Sequence, residues 1–336
     1  MIRWLLVCSL LFLGGCDLCW PRGGGLGTCI EPDDDDATGD DDDSGDDDDS
    51  GDDDDSGDDD DSTPDGPPCA HGEILTGPSF SWNDGELQTA TWDFVCIHGG
   101  TFRMGRETSD PEWEEDENAH DVTLTYVYAM ALTELPQALW IDRTGSNPSE
   151  CFEPAGCGPL HPTNRISWAQ SIEFANALSD EEGLTRGHEL FEPVWTIDLT
   201  ADGYRMPTEA EWEFAAQAGT DYVYSGSDEV EDVAWCDLFF DDYARRAGLL
   251  LPNDLGIYDM SGNVTEFVWD RYEDYPSEPQ TDPTGPLQGS FTVRRGGSFD
   301  SPCSLSQIRH RGFNTPTGTY DLGVRLVRTL WTPPAE

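Results

Sequence analysis

Apolar and polar positions alternate in part from Val122 to Met130, with Val122, Leu124, Tyr126 and Tyr128 on one face, and that period of two predicts a strand. Helical spacing shows in two places. Ser167-Trp168-Ala169-Gln170 carries a capping-box pattern, in which a hydroxyl and an amide side chain satisfy the free backbone amides of a first turn. Trp168, Ile172 and Ala175 then recur on one face, and Gly183 stops the helix. Thr208-Glu209-Ala210-Glu211 opens a second helix the same way, with Trp212, Ala215 and Ala216 on its buried side and Gly219 as the turn residue beyond its end. Elsewhere Gly and Pro interrupt the pattern about every ten residues. Twelve tryptophans set against two convincing helices predict an irregular, loop-rich α+β fold pinned by large aromatics and cross-links.

The chain begins on a different pattern. Arg3 precedes an apolar run from Trp4 to Leu13, too short to span a bilayer, which ends in Leu13-Gly14-Gly15-Cys16. Small residues followed by cysteine resemble a bacterial lipobox, so 1–15 is expected as a signal peptide and Cys16 as the lipidated mature N-terminus. Residues 16–32 then form an anchor segment. From 33 to 62 five blocks of four aspartates are separated by Ala-Thr-Gly or Ser-Gly, a run with nothing apolar to bury and strong self-repulsion. It is expected as an extended spacer reaching roughly 100 Å at most. Residues 63–92 read as an N-terminal extension, and 93–330 as the folded domain.

Charge narrows the partners. The 336 residues hold 69 acids and 17 basic residues, net −52, and every basic residue is arginine. Schiff-base lysine chemistry is excluded, and so acidic a chain repels nucleic acid and anionic head groups. The acidity is not confined to the spacer. Residues 1–65 contain 23 acids and two arginines, leaving 46 and 15 for 66–336, a net of −31. No pair among the six histidines has the spacing of a zinc or non-haem iron site.

Ten cysteines, less Cys8 in the signal and Cys16 at the anchor, leave an even set: Cys19, Cys29, Cys69, Cys96, Cys151, Cys157, Cys236 and Cys303. In an exported chain these are disulfide candidates. Proximity in sequence favours Cys19–Cys29, Cys151–Cys157 and Cys69–Cys96, which leaves Cys236 for Cys303.

A series of ordered motifs carries a family resemblance. Phe94 to Gly105, Thr133 to Trp140, Asn147-Pro148-Ser149, Arg165 to Trp168, Tyr204 to Ala216, Asp254 to Glu266, Val293 to Ser298, Asn314-Thr315-Pro316 and Leu322 to Arg325 resemble the sulfatase-modifying factor, or formylglycine-generating enzyme, family. The resemblance implies a C-type-lectin-like fold and bound calcium. It also implies an oxidation of a sulfatase cysteine to formylglycine, using copper(I) held by two cysteines five positions apart. Here the chain departs from the pattern. Counted forward from Ser298, the two positions fall on Ser301 and Ser306. Counted back from Asn314, Cys303 takes the second position and the first has no cysteine. One thiolate cannot supply the linear two-thiolate coordination that Cu(I) prefers, so Cu+ is not expected and Cys303 is only a weak catalytic candidate.

A calcium site fits better. Asp259, Gly262, Val264 and Glu266 match the family's ligand positions, and two carboxylates plus two backbone carbonyls on a tight turn suit a hard cation. The family's other calcium site fits poorly, since Trp235 stands where asparagine is expected, with Asp241 and Asp242 as substitutes. Glu209 and Glu211 are explained by the helix start, and Glu213 is expected to face solvent. Arg309-His310-Arg311 is either an anion patch or, more in keeping with its neighbours, a source of internal salt bridges, and Arg294-Arg295-Gly296 reads as structural.

Two functions remain. One is a calcium-stabilised, non-catalytic module, lipid-anchored in the cell envelope and binding a peptide or glycan. The other is an oxidoreductase acting on a sulfur group. The missing cysteine favours the first.

Overall fold

The computed structural model describes residues 66–112, 116–151, 156–237 and 243–334. Cys16, Cys19, Cys29, the Asp-rich run, Asp241 and Asp242 lie outside them.

The main sheet is antiparallel, in the order Ile74–Leu75, Phe94–His98, Val127–Ala131, Val327–Trp331, Tyr204–Arg205. Its central strands are buried on both faces, which is why FVCIH and VYAMA read as unbroken apolar runs. Phe94, Ala129 and Ala131 point into one core, with the helices α1 (Gln137–Thr144) and α2 (Trp168–Glu182). Val95, Ile97, Tyr128 and Met130 point into the other, with α3 (Glu209–Gln217).

The expected strand at Val122 to Met130 is divided. His120–Thr123 pairs with Thr101–Met104 in a small sheet, and Val127–Ala131 pairs with Phe94–His98 in the main one. The cause lies opposite, where Gly99 and Gly100 turn the chain: Gly99 N donates to Tyr126 O and Leu124 N to Gly100 O, both at 3.0 Å. A Cβ at Gly99 would stand 2.3 Å from Leu124 O, so only glycine permits this corner. The face survives the break, and Val122, Leu124, Tyr126 and Tyr128 are all buried in one cluster.

Both capping boxes form. Ser167 Oγ accepts from Gln170 N while the Gln170 side chain accepts from Ser167 N, and Gly183 ends α2 in the left-handed region. Thr208 and Glu211 do the same for α3, but the turn out of that helix starts one residue early, with Ala218 at φ 48° before Gly219 at φ 77°. Helix α1 is an element that the two-helix reading lacks. It starts behind Pro136 with no side-chain cap, and Trp140 holds it by stacking on Phe174 of α2 at 4.8 Å. A further short turn of helix spans Val230–Val233.

The residues assigned to an extension join the same body. Ile74–Leu75 edges the main sheet, and the hairpin of Ser79–Asn83 with Leu87–Thr91 buries Phe80 in the first core, next to Trp92. Cys69 is bonded to Cys96 of the main sheet. A second sheet, Arg311–Asn314, Thr292–Arg295, Thr265–Arg271, Leu322–Val324, carries most of the remaining motifs.

Candidate functional site

The pairing of Cys236 with Cys303 follows from where two short segments meet. Ala234–Trp235 pairs in parallel with Ser261–Gly262, and a Cβ on Gly262 would fall 2.3 Å from Trp235 O, so glycine at φ 84° lets the backbones touch. That contact sets Cys236, next in sequence, against the turn Cys303–Ser306, and the two cysteines form a disulfide. Cys151 and Cys157 form another. Ser301 and Ser306, the alternative copper positions, carry hydroxyls. Ser301 Oγ lies 2.8 Å from Ser298 Oγ, and Ser306 is buried. Among the described residues the one cluster with metal-ligand chemistry is Cys236, Asp237 and Cys303, whose ligand atoms lie within 4.8 Å of one another. With both sulfurs in a disulfide it offers no thiolate.

Of the four predicted calcium ligands, Asp259, Gly262 and Val264 lie on the segment that leads into the strand Thr265–Arg271, and Glu266 is the second residue of that strand. Asp259 and Asn263 both adopt positive φ, at 57° and 62°, an uncommon backbone state for residues with side chains. The Asn263 amide braces the turn: its Oδ1 accepts from Arg245 N at 2.8 Å and its Nδ2 donates to Glu134 Oε1 at 3.0 Å. Asp259 Oδ2 accepts from Gly248 N at 2.7 Å. Glu266 is differently engaged, accepting from Arg325 Nη2 and from Trp212 Nε1, both at 2.8 Å. Glu134, which the sequence reading did not select, is fully buried, and its Oε2 has no hydrogen-bond partner. Burial and then the neighbouring Asp259 charge push Glu134 well above the usual carboxylate range, and burial raises Asp259 to about 6. Its signal was available only as one letter of the Thr133 to Trp140 motif. Trp235, at the second calcium position, instead lies under the Arg245 guanidinium at 5.2 Å.

Behind this turn the three glutamates of α3 form a buried ion network. Glu211 caps the helix as expected and also takes a bidentate bond from Arg205, 2.7 Å to each oxygen, plus the Tyr126 hydroxyl at 2.9 Å. Glu209 pairs with Arg311 at 2.8 and 2.9 Å. Glu213 does not face solvent. It is fully buried, pairs with Arg295 and accepts from Gly105 N at 2.9 Å. Residues four apart on a helix share a face, so Glu209 and Glu213 both reach the Arg295 guanidinium. The remaining arginine of the suspected anion patch, Arg309, lies 3.4 Å from Asp221, and His310 Nδ1 lies 3.6 Å from Glu117. Arg311 therefore serves a buried salt bridge, and Arg309 pairs with an aspartate at the surface.

The geometry can be set beside known proteins. Residues 82–330 match the family model described as sulfatase-modifying factor enzyme 1-like domain. The chain is 30% identical over 277 residues to the chaperone protein LppX of Paenibacillus barcinonensis, covering 72% of this chain and 91% of that protein. It is also 30% identical over 188 residues to a formylglycine-generating enzyme of Streptomyces coelicolor, but there spans only about half of each protein, 50% of this chain and 52% of the relative. Among solved structures, Treponema denticola variable protein 1 superposes with a TM-score of 0.65 at 26% identity, over 74% of this chain and 98% of that one. The stretch matched by the family model, 82–330, holds the main sheet's central strands, the second sheet and the helices α1 to α3, and the chain belongs to the sulfatase-modifying factor enzyme 1-like family.

Proposed function

We propose that this domain is a non-catalytic binding module of the cell envelope, tethered through lipid on Cys16 and spaced from the membrane by the Asp-rich run. One observation carries the reading. The cysteine nearest the family's copper position is in a disulfide with Cys236, and serines stand at the other positions, so no thiolate pair is present to hold copper(I). The relative described as a chaperone protein, matched over 91% of its length, favours a peptide over a glycan as the ligand class.

Calcium belongs to the same proposal. Asp259, Glu266 and the carbonyls of Gly262 and Val264 would hold it, with Glu134 adjacent. The fit rests on charge: of the three buried carboxylates Glu134, Asp259 and Glu266, only Glu266 pairs with Arg325, and Glu134 Oε2 is buried without a partner. An oxygen-ligated divalent cation would relieve that excess. Bound there, it would pin the turn that positions the Cys236–Cys303 pair.

The test is direct. The full chain, loaded with copper under reductant and oxygen, is incubated with a peptide bearing a sulfatase-type cysteine motif, and the peptide is weighed by mass spectrometry. The cysteine mass should persist, and peptide mapping without reductant should recover the Cys236–Cys303 link. Time-dependent aldehyde formation would overturn the reading in favour of a sulfur oxidoreductase. For the tether, Cys16→Ser should move the protein from the membrane to the soluble fraction, and an unmodified mature N-terminus would refute it.

A further inference from the structure

A cavity of about 580 Å³ opens beside the end of the strand Thr265–Arg271, roofed by the loop 273–286. Two successive residues of that strand, Asp270 and Arg271, both line it. Regular pleating would send them to opposite faces. The pairing with Thr292–Arg295 is irregular between Phe267 and Arg271, however, and such bulges re-aim side chains. Gly285 closes the loop over Asp270: its φ is +64°, and a Cβ there would sit 2.9 Å from Asp270 Oδ1.

The charges in this cavity are not matched to each other. Among the described residues no carboxylate pairs with the Arg271 guanidinium, in a domain where most arginines have an acidic partner. Its Cζ lies 4.0 Å from the centroid of the buried Trp168 ring, and the half-buried side chain lines both this cavity and a second of about 230 Å³. Burial alone lowers its affinity for the proton, with no nearby acid to offset it. The acids on the other walls are in excess. Glu209 and Arg311 neutralise one another, whereas Asp270 is buried with one oxygen on Glu209 N at 2.7 Å, and Glu273 and Asp274 are exposed at the mouth. Burial and the Glu209 charge push Asp270 up to about 8, the mark of a carboxyl that lacks a cation.

We propose that this cavity binds a small zwitterion of the amino-acid or short-peptide class, its carboxylate on Arg271 and its ammonium on the acidic wall of Asp270, Glu273 and Asp274. A planar guanidinium already held over an aromatic ring is restrained in position and can take a carboxylate on two N–H groups. Acidic side chains in the same cavity disfavour dianions such as phosphate and sulfate and favour a ligand that brings its own cation. The inference rests on the binding reading above and gives it a site and a ligand class.

Calorimetric titration of the full chain with L-alanyl-L-alanine tests it, against the N-acetylated dipeptide, the dipeptide amide and glucuronate. The free dipeptide should bind, with each blocked form at least about tenfold weaker, in line with the loss of a charge-assisted contact. Arg271→Gln should erase the preference for the free carboxylate over the amide. Asp270→Asn should erase the preference for the free amine. Should that buried variant fail to fold, Glu273→Gln with Asp274→Asn at the surface should weaken the same preference. Absence of dipeptide binding, an unchanged affinity in Arg271→Gln, or glucuronate binding as well as the dipeptide would each overturn the assignment. Aldehyde formation on the sulfatase-type peptide would overturn the binding reading instead, so the two failures are distinguishable.

Discussion

Glu213 is fully buried, and so is the Arg295 guanidinium it pairs with. Truncating one partner of such a pair strands the other charge in a poorly solvating interior, which typically costs about 3–5 kcal/mol. Glu213→Ala should therefore lower urea stability by that order, while Glu213→Gln, which keeps an acceptor for Gly105 N, should cost less. A loss below about 1 kcal/mol in the alanine variant would show that water reaches the network. His188 offers a second test, through pH. Its Nε2 accepts from Met206 N at 3.1 Å and its ring stacks on Trp269, so it is held neutral with its proton on Nδ1. Burial, then the charge of Arg205, depresses it from 6.5 to about 3. Below 6.5 the unfolded chain takes up a proton that the folded one refuses, so stability falls as pH drops from about 6.5 toward 3, by about 2 kcal/mol at pH 5. His188→Gln should flatten that part of the profile relative to the wild type; identical acid slopes would refute it.

At the scale of elements, local chemistry predicts some boundaries and not others. Ser167, Gln170 and Gly183 define α2 from within one stretch of chain, because caps act on neighbouring amides. Helix α1 has no such signature, being set behind a proline and held by Trp140 on Phe174, a contact 34 residues away in sequence. The strand at Val122 to Met130 was legible in its face but not in its break, which depends on Gly99 across the sheet. The end of α3 gives a prediction of its own. Ala218 holds φ 48°, where a Cβ crowds the backbone and costs roughly 1 kcal/mol. Ala218→Gly should raise the thermal midpoint, by up to about 1 kcal/mol of stability less the entropy of a more flexible unfolded chain. A lowered midpoint would indicate that the Ala218 methyl contributes packing that outweighs the strain.

For the whole molecule, the excess of acid is handled by placement. Among the described residues five arginines, Arg106, Arg205, Arg295, Arg311 and Arg325, are buried, and each pairs with a buried carboxylate. What remains over at Glu134 and Asp259 motivates the calcium proposal. A cation bound only by the folded state stabilises it by about 2.7 kcal/mol at a hundredfold excess over Kd. Chelation should lower the thermal midpoint of the full chain, and Glu134→Gln and Asp259→Asn should each reduce that response. An unchanged midpoint in chelator, with no metal by elemental analysis, would sink the site.

By itself the sequence determined the secretory and lipobox pattern as an expectation, the family, the α+β class, two capped helices and the stock of cysteines, because each rests on neighbouring residues or on composition. Even the pairing of Cys236 with Cys303 followed by elimination. Only the tertiary structure decided which charges are buried. Glu213 looks like a solvent-facing helix residue until Arg295, 82 positions on, is brought beneath it by a different strand. Glu134 meets Asn263 across 129 positions, and Asp270 shares a cavity with Arg271 through a bulge that pairing with another strand creates. A carboxylate's environment is set by what folds against it from afar, and no local pattern of residue types encodes that distance.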